Sequence, residues 1–255
     1  MFCHNSSVYC FSLLGVVTPL QRPGVSTDKT TMVKLQDLLN FYQWKSTHVD
    51  MQRIHEFEEQ GLLNMKKHPI YPLFILNYTS KAQFKKRWCK ELIHARGLVV
   101  KEDGEIIARP IPKFFNHYEI KKCEQLQRED YELYDKMDGS LAIMFYYENK
   151  RMFCTRGSFV SDQAVKSEKI FNSKYNHVNI KKECTYCFEV IYPKNKVVVD
   201  YDGLEDLFLI SITHTKTGKE LNIDKTGLKT VNKLKTNGVP FDELLQYYQR
   251  KKLML

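Results

Sequence analysis

The sequence lacks the features that mark several common classes of protein. Its seven cysteines are odd in number and follow no regular spacing, which argues against a disulfide framework and favours a reducing compartment. The single Cys-x-x-Cys pair, Cys184 and Cys187, has no second pair to complete a zinc site. No internal repeat, low-complexity linker or Walker phosphate loop occurs. These absences argue against a secreted disulfide scaffold, a repeat protein and a P-loop nucleotide hydrolase.

Long hydrophobic runs are also missing. The apolar stretch at residues 8–17 is too short to span a bilayer, and no lysine or arginine precedes it as in a secretory signal. We therefore expect an intracellular protein without a membrane partner, in the cytoplasm, with the nucleus as an alternative. We expect residues 1–31 to be a disordered extension or a misassigned start, and residues 32–255 to form the folded domain.

The charge balance of the chain favours a polyanionic partner. Lysine and arginine total 39 against 30 aspartate and glutamate, which gives a net charge of +9, and the chain contains 15 tyrosines and 15 phenylalanines. Cations interleaved with aromatic side chains suit a nucleic acid whose bases can be stacked. Charge alone is explained equally well by a soluble basic surface.

Short strands joined by hairpins dominate the central part of the chain. Strands are predicted at 72–78, 187–192, 197–201 and 207–212, and two hairpins turn at Asp103-Gly104 and near residue 149. Helices are predicted at 33–41, at 80–88 with Ser80 as N-cap, at 161–172 with Ser161 as N-cap, at 224–235 and at 242–255. This mixture predicts an α+β fold of antiparallel sheets with inserted helices.

The candidate nucleophile of the chain is a lysine in the pentapeptide Lys136-Met137-Asp138-Gly139-Ser140. A lysine amine is protonated at neutral pH, and it becomes a nucleophile only where neighbouring cations or partial burial favour the neutral form. The glycine would let a nucleotide approach the backbone closely. A plain hairpin turn explains the same letters when they stand alone, because Asp-Gly is a favoured turn sequence.

The pentapeptide stands in an ordered set of motifs. The others are Arg96-Gly97-Leu98, Ala108-Arg109-Pro110, Pro112-Lys113-Phe114-Phe115-Asn116, Thr155-Arg156-Gly157-Ser158 and Phe188-Glu189-Val190. In this order and spacing the set resembles the adenylyltransferase domain of bacteriophage-type ATP-dependent RNA ligases, the class typified by the phage RNA ligase 1. The resemblance covers about residues 70–212, and it implies a ligase-type nucleotidyltransferase fold.

The resemblance also implies a covalent mechanism with ATP and Mg²⁺. Lys136 would attack the α-phosphate of ATP, and the AMP would pass to an RNA 5′-phosphate. An RNA 3′-hydroxyl would then displace the AMP and join the strands. Fixed cations and a magnesium ion suit the negative charge that develops on the phosphoryl group.

The resemblance assigns roles to further residues. Arg96 and Lys113 would clamp the triphosphate, and Arg156 would lie near the nucleotide phosphate or the incoming 5′-end. Glu189 would accept a hydrogen bond from a ribose hydroxyl or hold a metal-bound water, and Phe115 would line the pocket. The three cations are otherwise explained as solvated surface side chains. A role without function is harder to accept for Glu189, because burying an unpaired carboxylate in an apolar strand costs free energy.

Gly139 and Asp138 complete the candidate site. Gly139 would lie against the nucleotide, and Asp138 is a second catalytic candidate, although a turn-forming role explains it equally well.

The chain departs from the family after Ile212. Family members carry a strand with a Glu-Gly pair and then a Lys-x-Lys strand, whereas no Glu-Gly follows Ile212. Lys233-Leu234-Lys235 has the right letters, but the pattern around it predicts a solvated helix. We therefore expect a domain incomplete at its C-terminus, whose last strands a partner or a missing segment would supply. Such a chain should label poorly with AMP, and an extended version should label well.

Two alternatives to an active RNA ligase stay open. The first is a non-catalytic RNA-binding remnant that keeps the basic pocket. The second is a DNA ligase or a capping guanylyltransferase, which the run from Ala108 to Asn116 disfavours. Comparing ATP with GTP, and nicked DNA with RNA ends, would separate the second alternative.

Overall fold

The fold is described from a computed structural model of the chain. It describes residues 44–115 and 133–234, together with the short strand segments Val33–Lys34 and Ile120–Lys121. The chain forms two units. The first unit comprises Met1–Asn40, Phe114–Lys136 and Asn232–Leu255, and the second comprises Phe41–Lys113 and Met137–Val231.

A four-stranded antiparallel sheet begins the second unit. Its strands follow chain order and are β2 (Leu63–Lys67), β3 (Leu73–Tyr78), β4 (Arg96–Lys101) and β5 (Ile106–Ala108). The predicted hairpin at Asp103-Gly104 is confirmed. Gly104 adopts a left-handed φ of +87°, and a Cβ there would lie only 2.4 Å from the carbonyl oxygen of Val49. Glycine is therefore required at this turn.

Three helices lie next to this sheet in the chain. They are α1 (Met51–Glu59), α2 (Ser80–Phe84) and α3 (Lys90–His94). The predicted helix at 80–88 is too long, and its predicted N-cap is wrong. Thr79 caps α2 by accepting a hydrogen bond from the backbone N–H of Ala82, and the helix ends at Phe84. Side chains from α1 and α3, such as Ile54 and Leu92, are buried in the same apolar core as the sheet.

A five-stranded antiparallel sheet forms the rest of the second unit. Its strands are β8 (Ser140–Tyr147), β9 (Lys150–Thr155), β10 (Cys184–Ile191), β11 (Asp206–His214) and β12 (Glu220–Leu221). Their spatial order is β12–β11–β10–β8–β9. The predicted hairpin between β8 and β9 is confirmed, and Glu148 and Asn149 at its turn have φ of 48° and 60°. Two left-handed residues are the signature of the type I′ turns that hairpins favour.

Helix α4 (Asp162–Lys174) packs on this sheet, and its predicted N-cap is confirmed. The Ser161 side chain accepts from the backbone N–H of Ala164. Phe171 of the helix is fully buried against Phe153 and Phe188 of the sheet. Cys184 and Cys187 both lie in β10, and burial raises the pKa of each thiol. Thiols in that environment behave as small apolar side chains.

Arg109 is a buried cation that ties separate segments of the second unit together. It is only 2% exposed, and its guanidinium donates to the carbonyl oxygens of Thr215, Trp44 and Ser46. The guanidinium also lies 5.3 Å from the centre of the Trp44 ring. Burial lowers the pKa of Arg109 to about 10, so the side chain is still charged at neutral pH.

Two short strand pairs belong to the first unit. Strand β1 (Val33–Lys34) pairs in parallel with β6 (Ile120–Lys121), so the helix predicted from residue 33 does not begin there. Strand β7 (Leu133–Tyr134) pairs antiparallel with β13 (Lys233–Leu234). The helix predicted at 224–235 is wrong, because residues 224–232 are not helical and Lys233–Leu234 form a strand. The predictions for residues 1–31, for Asn116 and for a helix at 242–255 lie outside the described residues.

The observed architecture confirms the predicted α+β class with antiparallel sheets. The strand predicted at 197–201 is wrong, since that segment forms no strand. Among the described residues, no helix combines the length and the apolar character needed to cross a membrane.

Candidate functional site

Gly97 allows two motif arginines to approach each other. It lies at the start of β4 with a left-handed φ of +89°, directly after Arg96. A Cβ at this position would lie 2.4 Å from Cδ1 of Ile143 and 3.1 Å from Cα of Arg156. Only glycine fits both the backbone conformation and the contact. The first motif of the set is therefore packed directly on the segment that carries Arg156.

The electrostatic surroundings of Arg96 connect three of the predicted site residues. Burial lowers the pKa of Arg96, and the nearby charge of Arg156 lowers it further. The hydroxyl of Tyr78, the thiol of Cys187 and the carboxylate of Glu189 act in the opposite direction and raise it. Two guanidinium groups and one carboxylate thus share a partly buried region, where charges are less screened than at an open surface. Arg96 is therefore not a solvated surface cation, which was the alternative explanation of this residue.

Asn77 belongs to the same region, and the sequence analysis missed it. It is the β-ladder partner of Arg96, and its Nδ2 lies 3.9 Å from where a Cβ on Gly157 would be. Its Oδ1 atom is buried and accepts no hydrogen bond from the residues that the structure describes. A polar residue inside the apolar strand at residues 73–78 was the available signal.

A line of aromatic rings connects Arg156 with Lys113. The guanidinium of Arg156 lies 5.7 Å from the centre of the Tyr78 ring, and Tyr78 meets Trp88 edge to face at 5.1 Å. The ammonium of Lys113 lies 5.7 Å from the centre of the Trp88 ring. The backbone N–H of Lys113 also donates to the carbonyl of Ile93 at 2.8 Å. Both cations are thereby positioned at cation–π distance from buried or half-buried rings.

The end of the pentapeptide is fixed to strand β10. The backbone N–H of Gly139 donates to Oε1 of Glu189 at 3.0 Å. A Cβ on Gly139 would lie 2.4 Å from the carbonyl oxygen of Val190 and 2.6 Å from Cδ1 of Ile191. Gly139 therefore permits a close approach between two strands. The hydrogen bond also explains how Glu189 is tolerated in an apolar strand.

Asp138 holds a loop in place instead of forming a hairpin turn. Its Oδ2 accepts from the backbone N–H groups of Val198 and Val199 at 2.6 and 2.8 Å. Its own N–H donates to the hydroxyl of Tyr201 at 2.8 Å. The strands on either side, β7 and β8, pair with other strands and not with each other. A plain Asp-Gly hairpin, the explanation of these letters taken alone, therefore does not occur here, and a cavity of about 100 Å³ borders Asp138 and this loop.

Two predicted site residues, Lys136 and Phe115, belong to the first unit. Lys136 is exposed and follows β7 in the chain, whereas Phe115 is 2% exposed. Strand β13 lies in the same unit, with Lys233 opposite Tyr134 in the ladder. Next to this pair, the backbone N–H of Asp135 donates to the carbonyl of Asn232 at 2.9 Å, and Nδ2 of Asn232 donates to Oδ2 of Asp135 at 3.0 Å. Lys233 therefore pairs with a residue only two positions before Lys136.

No preformed metal cage occurs in the described part of the chain. Among those residues, no group of three or more histidine, cysteine, aspartate or glutamate side chains is arranged to hold an ion. Both backbone N–H bonds to Asp138 occupy its Oδ2, and Glu189 accepts from Gly139. Glu189 is the carboxylate predicted to bind metal, and Mg²⁺ in proteins commonly takes one or two carboxylates with waters or phosphate oxygens in its other positions.

The family of the chain follows from a comparison with known protein families. The sequence model of the RNA ligase family matches residues 94–249, which is more than half of the chain. The chain therefore belongs to the RNA ligase family. The matched range contains every predicted site residue and also Lys233.

Relatives among curated proteins agree with this family. The chain is similar to a protein of Thermovibrio ammonificans named as a candidate RNA ligase, with 29% identity over 126 residues. That match covers 46% of this chain and 33% of the relative. A second relative, from Autographa californica nuclear polyhedrosis virus, is named as a candidate bifunctional polynucleotide kinase/RNA ligase. Its identity is 25% over 183 residues, which cover 61% of this chain and 26% of the viral protein. The chain thus spans a third or less of these relatives.

The fold is also shared with a solved structure. An archaeal ATP-dependent RNA ligase superposes with a TM-score of 0.51 at 17% identity. The superposition covers 82% of this chain and 55% of the archaeal chain. This likeness shows the fold of ligase nucleotidyltransferase domains.

Proposed function

We propose that the chain catalyses the ATP-dependent joining of RNA ends through a lysyl-AMP intermediate on Lys136. The Nζ atom of Lys136 would form a bond to the α-phosphorus of ATP, the bond to pyrophosphate would break, and Nζ would lose a proton. The AMP would then move to an oxygen of an RNA 5′-phosphate and restore the amine. An RNA 3′-hydroxyl would attack the activated 5′-phosphorus, release AMP and leave a phosphodiester bond.

The observation that carries the proposal is the contact between Gly139 and Glu189 beside two arginines. The 3.0 Å hydrogen bond fixes the chain three residues after Lys136, and the pKa of Arg96 responds to the charges of both Arg156 and Glu189. Two neighbouring guanidinium groups suit phosphate oxygens, since positioned cationic donors stabilise the charge that develops during transfer. A single preorganised donor of this kind is worth about 10² to 10³ in rate.

A magnesium ion fits this arrangement through Glu189. The carboxylate of Glu189 would hold the ion through a bound water, and the ion would neutralise phosphate charge when nucleotide is bound. Arg96 and Lys113 would hold the triphosphate, while Phe115 and Gly139 would border the nucleotide. Asp138 acts as a positioning residue, because its carboxylate holds the backbone of Val198 and Val199.

The position of Lys233 in a strand supports an active enzyme over a domain that lacks its last strands. Poor labelling with AMP is expected from two features, the missing Glu-Gly pair and the helical pattern around Lys233, and the second is wrong because Lys233–Leu234 form strand β13. We propose that Lys233 serves as the first lysine of the Lys-x-Lys strand known in the family. Its strand pairs with the strand that precedes Lys136.

Radiolabelled ATP tests the proposal directly. Wild-type protein should acquire covalent AMP in the presence of Mg²⁺, whereas Lys136→Ala and Lys136→Arg should not. Lys216→Ala is the matched control, because Lys216 is an exposed lysine outside every motif. Labelling by GTP in preference to ATP would contradict the assignment and favour a guanylyltransferase.

A second candidate function is RNA binding without adenylyl transfer. The observation that favours it is the absence of a Glu-Gly pair after Ile212, where the family carries a carboxylate. A protein of this kind would bind RNA in a salt-dependent manner but would acquire no AMP from ATP. The same labelling assay decides between the two candidates.

A further inference from the structure

The connection between α2 and α3 concentrates exposed cations and aromatic rings. We call residues 84–90 the basic turn; its sequence is Phe-Lys-Lys-Arg-Trp-Cys-Lys, and it contains no acidic residue. Phe84 is 85% exposed, although a phenylalanine normally buries most of its surface. Lys85 and Arg87 are exposed on either side of the half-buried Lys86. The resulting patch is both positively charged and apolar.

The backbone of the basic turn is defined by hydrogen bonds. The N–H of Lys86 donates to the carbonyl of Gln83 at 3.2 Å, and that of Arg87 donates to the carbonyl of Ala82 at 3.1 Å. These two bonds form a Schellman motif, in which Lys86 is the left-handed residue, with a φ of 48°. Glycine is the residue favoured there. A lysine at this position therefore supplies a charge where conformation alone would select glycine.

The basic turn is continuous with the candidate site. Trp88, within the turn, lies at cation–π distance from Lys113 and edge to face with Tyr78. Tyr78 in turn contacts Arg156 at 5.7 Å. The basic turn is therefore linked, through ring contacts within the second unit, to the two cations assigned to phosphate groups.

We propose that the basic turn binds single-stranded RNA next to the site of joining. Lys85, Lys86 and Arg87 contact successive phosphates, and one base stacks on Phe84. The proposal rests on the function proposed above, because the strand bound here is the RNA that enters the ligation site. An exposed ring beside three cations suits single-stranded RNA, since every base offers a face for stacking and every nucleotide carries a phosphate.

The salt dependence of binding tests the role of the three cations. Binding of a fluorescent 5′-phosphorylated RNA oligonucleotide is measured by anisotropy at several salt concentrations. For a single strand, each phosphate contact contributes about 0.7 to the slope of log affinity against log salt. A variant with Lys85→Ala, Lys86→Gly and Arg87→Ala should therefore lose about 2 from this slope. The control variant with Lys216→Ala, Lys219→Ala and Lys225→Ala loses the same charge from exposed positions elsewhere and should keep the wild-type slope.

Phe84 is tested separately by changes in affinity. Loss of one base–aromatic stack weakens binding about 5- to 150-fold, so Phe84→Ala and Phe84→Leu should both weaken binding within this range without changing the salt slope. Ile70→Ala is the control, because Ile70 is 82% exposed and lies outside the basic turn. Wild-type affinity of Phe84→Leu would overturn the stacking role, because leucine keeps the apolar surface but not the aromatic face.

Folding and catalysis are monitored in the same variants. Lys86→Gly alone should melt no lower than wild type, since it relieves a left-handed lysine, while still weakening RNA binding. All basic-turn variants should keep covalent AMP labelling from ATP. Unchanged RNA binding in the triple variant, or no RNA binding by wild type, would overturn the inference and point to a different partner for this surface. Absent AMP labelling with a reduced salt slope would leave the inference standing and overturn the proposed enzyme.

Discussion

Replacing Arg109 with methionine should destabilise the protein strongly, because the guanidinium serves three carbonyl groups. The donors reach Thr215, Trp44 and Ser46, and the side chain is 2% exposed. Hydrogen bonds from a charged group contribute about 1.5 to 3 kcal/mol each, and removing the donor leaves its carbonyl partners without that bond. Relief of the buried charge offsets part of this sum. A net loss of about 3 kcal/mol in the free energy of unfolding is the expected result, at the upper end of what single substitutions cost.

Urea unfolding followed by circular dichroism measures this loss, and thermal melting should show a Tm lower by about 6 to 12 °C. Arg109→Lys keeps the charge but not the planar fork, so it should fall between wild type and Arg109→Met. The control is Arg151→Met, since Arg151 also stacks on a ring, that of Phe171 at 4.5 Å, but is partly exposed. It should change the stability by less than about 1 kcal/mol. An Arg109→Met protein within about 0.5 kcal/mol of wild type would refute the reasoning.

Three further results are expected. Burial alone would raise the pKa of Asp206, but hydrogen bonds from Tyr175 and Lys229 outweigh it and lower the pKa below 3.8. The carboxylate therefore stabilises the fold above about pH 4, and the stability lost in Asp206→Asn, about 1.5 to 3 kcal/mol at pH 7, should shrink as the pH falls through the lowered pKa in urea titrations. Gly139→Ala would place a Cβ 2.4 Å from a backbone oxygen, so unfolding assays should show a loss of about 1 to 3 kcal/mol, and AMP labelling should fall with it. Lys233→Ala should slow AMP labelling by about 10² or more while circular dichroism still shows a folded protein; a wild-type rate would remove Lys233 from the site.

Local patterns in the sequence predicted both hairpins and the N-cap of α4. The hairpin at Gly104 depends on a left-handed glycine, and the capping of α4 depends on a serine three residues before the N–H that it accepts. Both are properties of adjacent residues, which a sequence displays directly. The arrangement of Arg96 near Arg156 was expected only from the family resemblance, because it requires a contact between residues 60 positions apart.

Long-range contacts explain the errors. Residues 197–201 have a strand-like sequence, but the backbone N–H groups of Val198 and Val199 bond to Asp138 instead of to a neighbouring strand. Residues 224–235 have a helical pattern, but the N–H of Leu209 donates to the carbonyl of Lys229, and Lys233 pairs with Tyr134. Tertiary pairing overrides local propensity in both segments. The end of α2 was also misplaced, because a lysine takes the left-handed position usually held by glycine.

Mapping the modified residue by mass spectrometry tests the central claim most directly. The protein is incubated with ATP and Mg²⁺, digested, and searched for peptides that carry an acid-labile AMP group on lysine. We expect a single adenylylated site at Lys136, which is lost in Lys136→Ala and retained in Lys216→Ala. AMP on a different lysine, or a folded wild-type protein that binds RNA but carries no AMP, would contradict it.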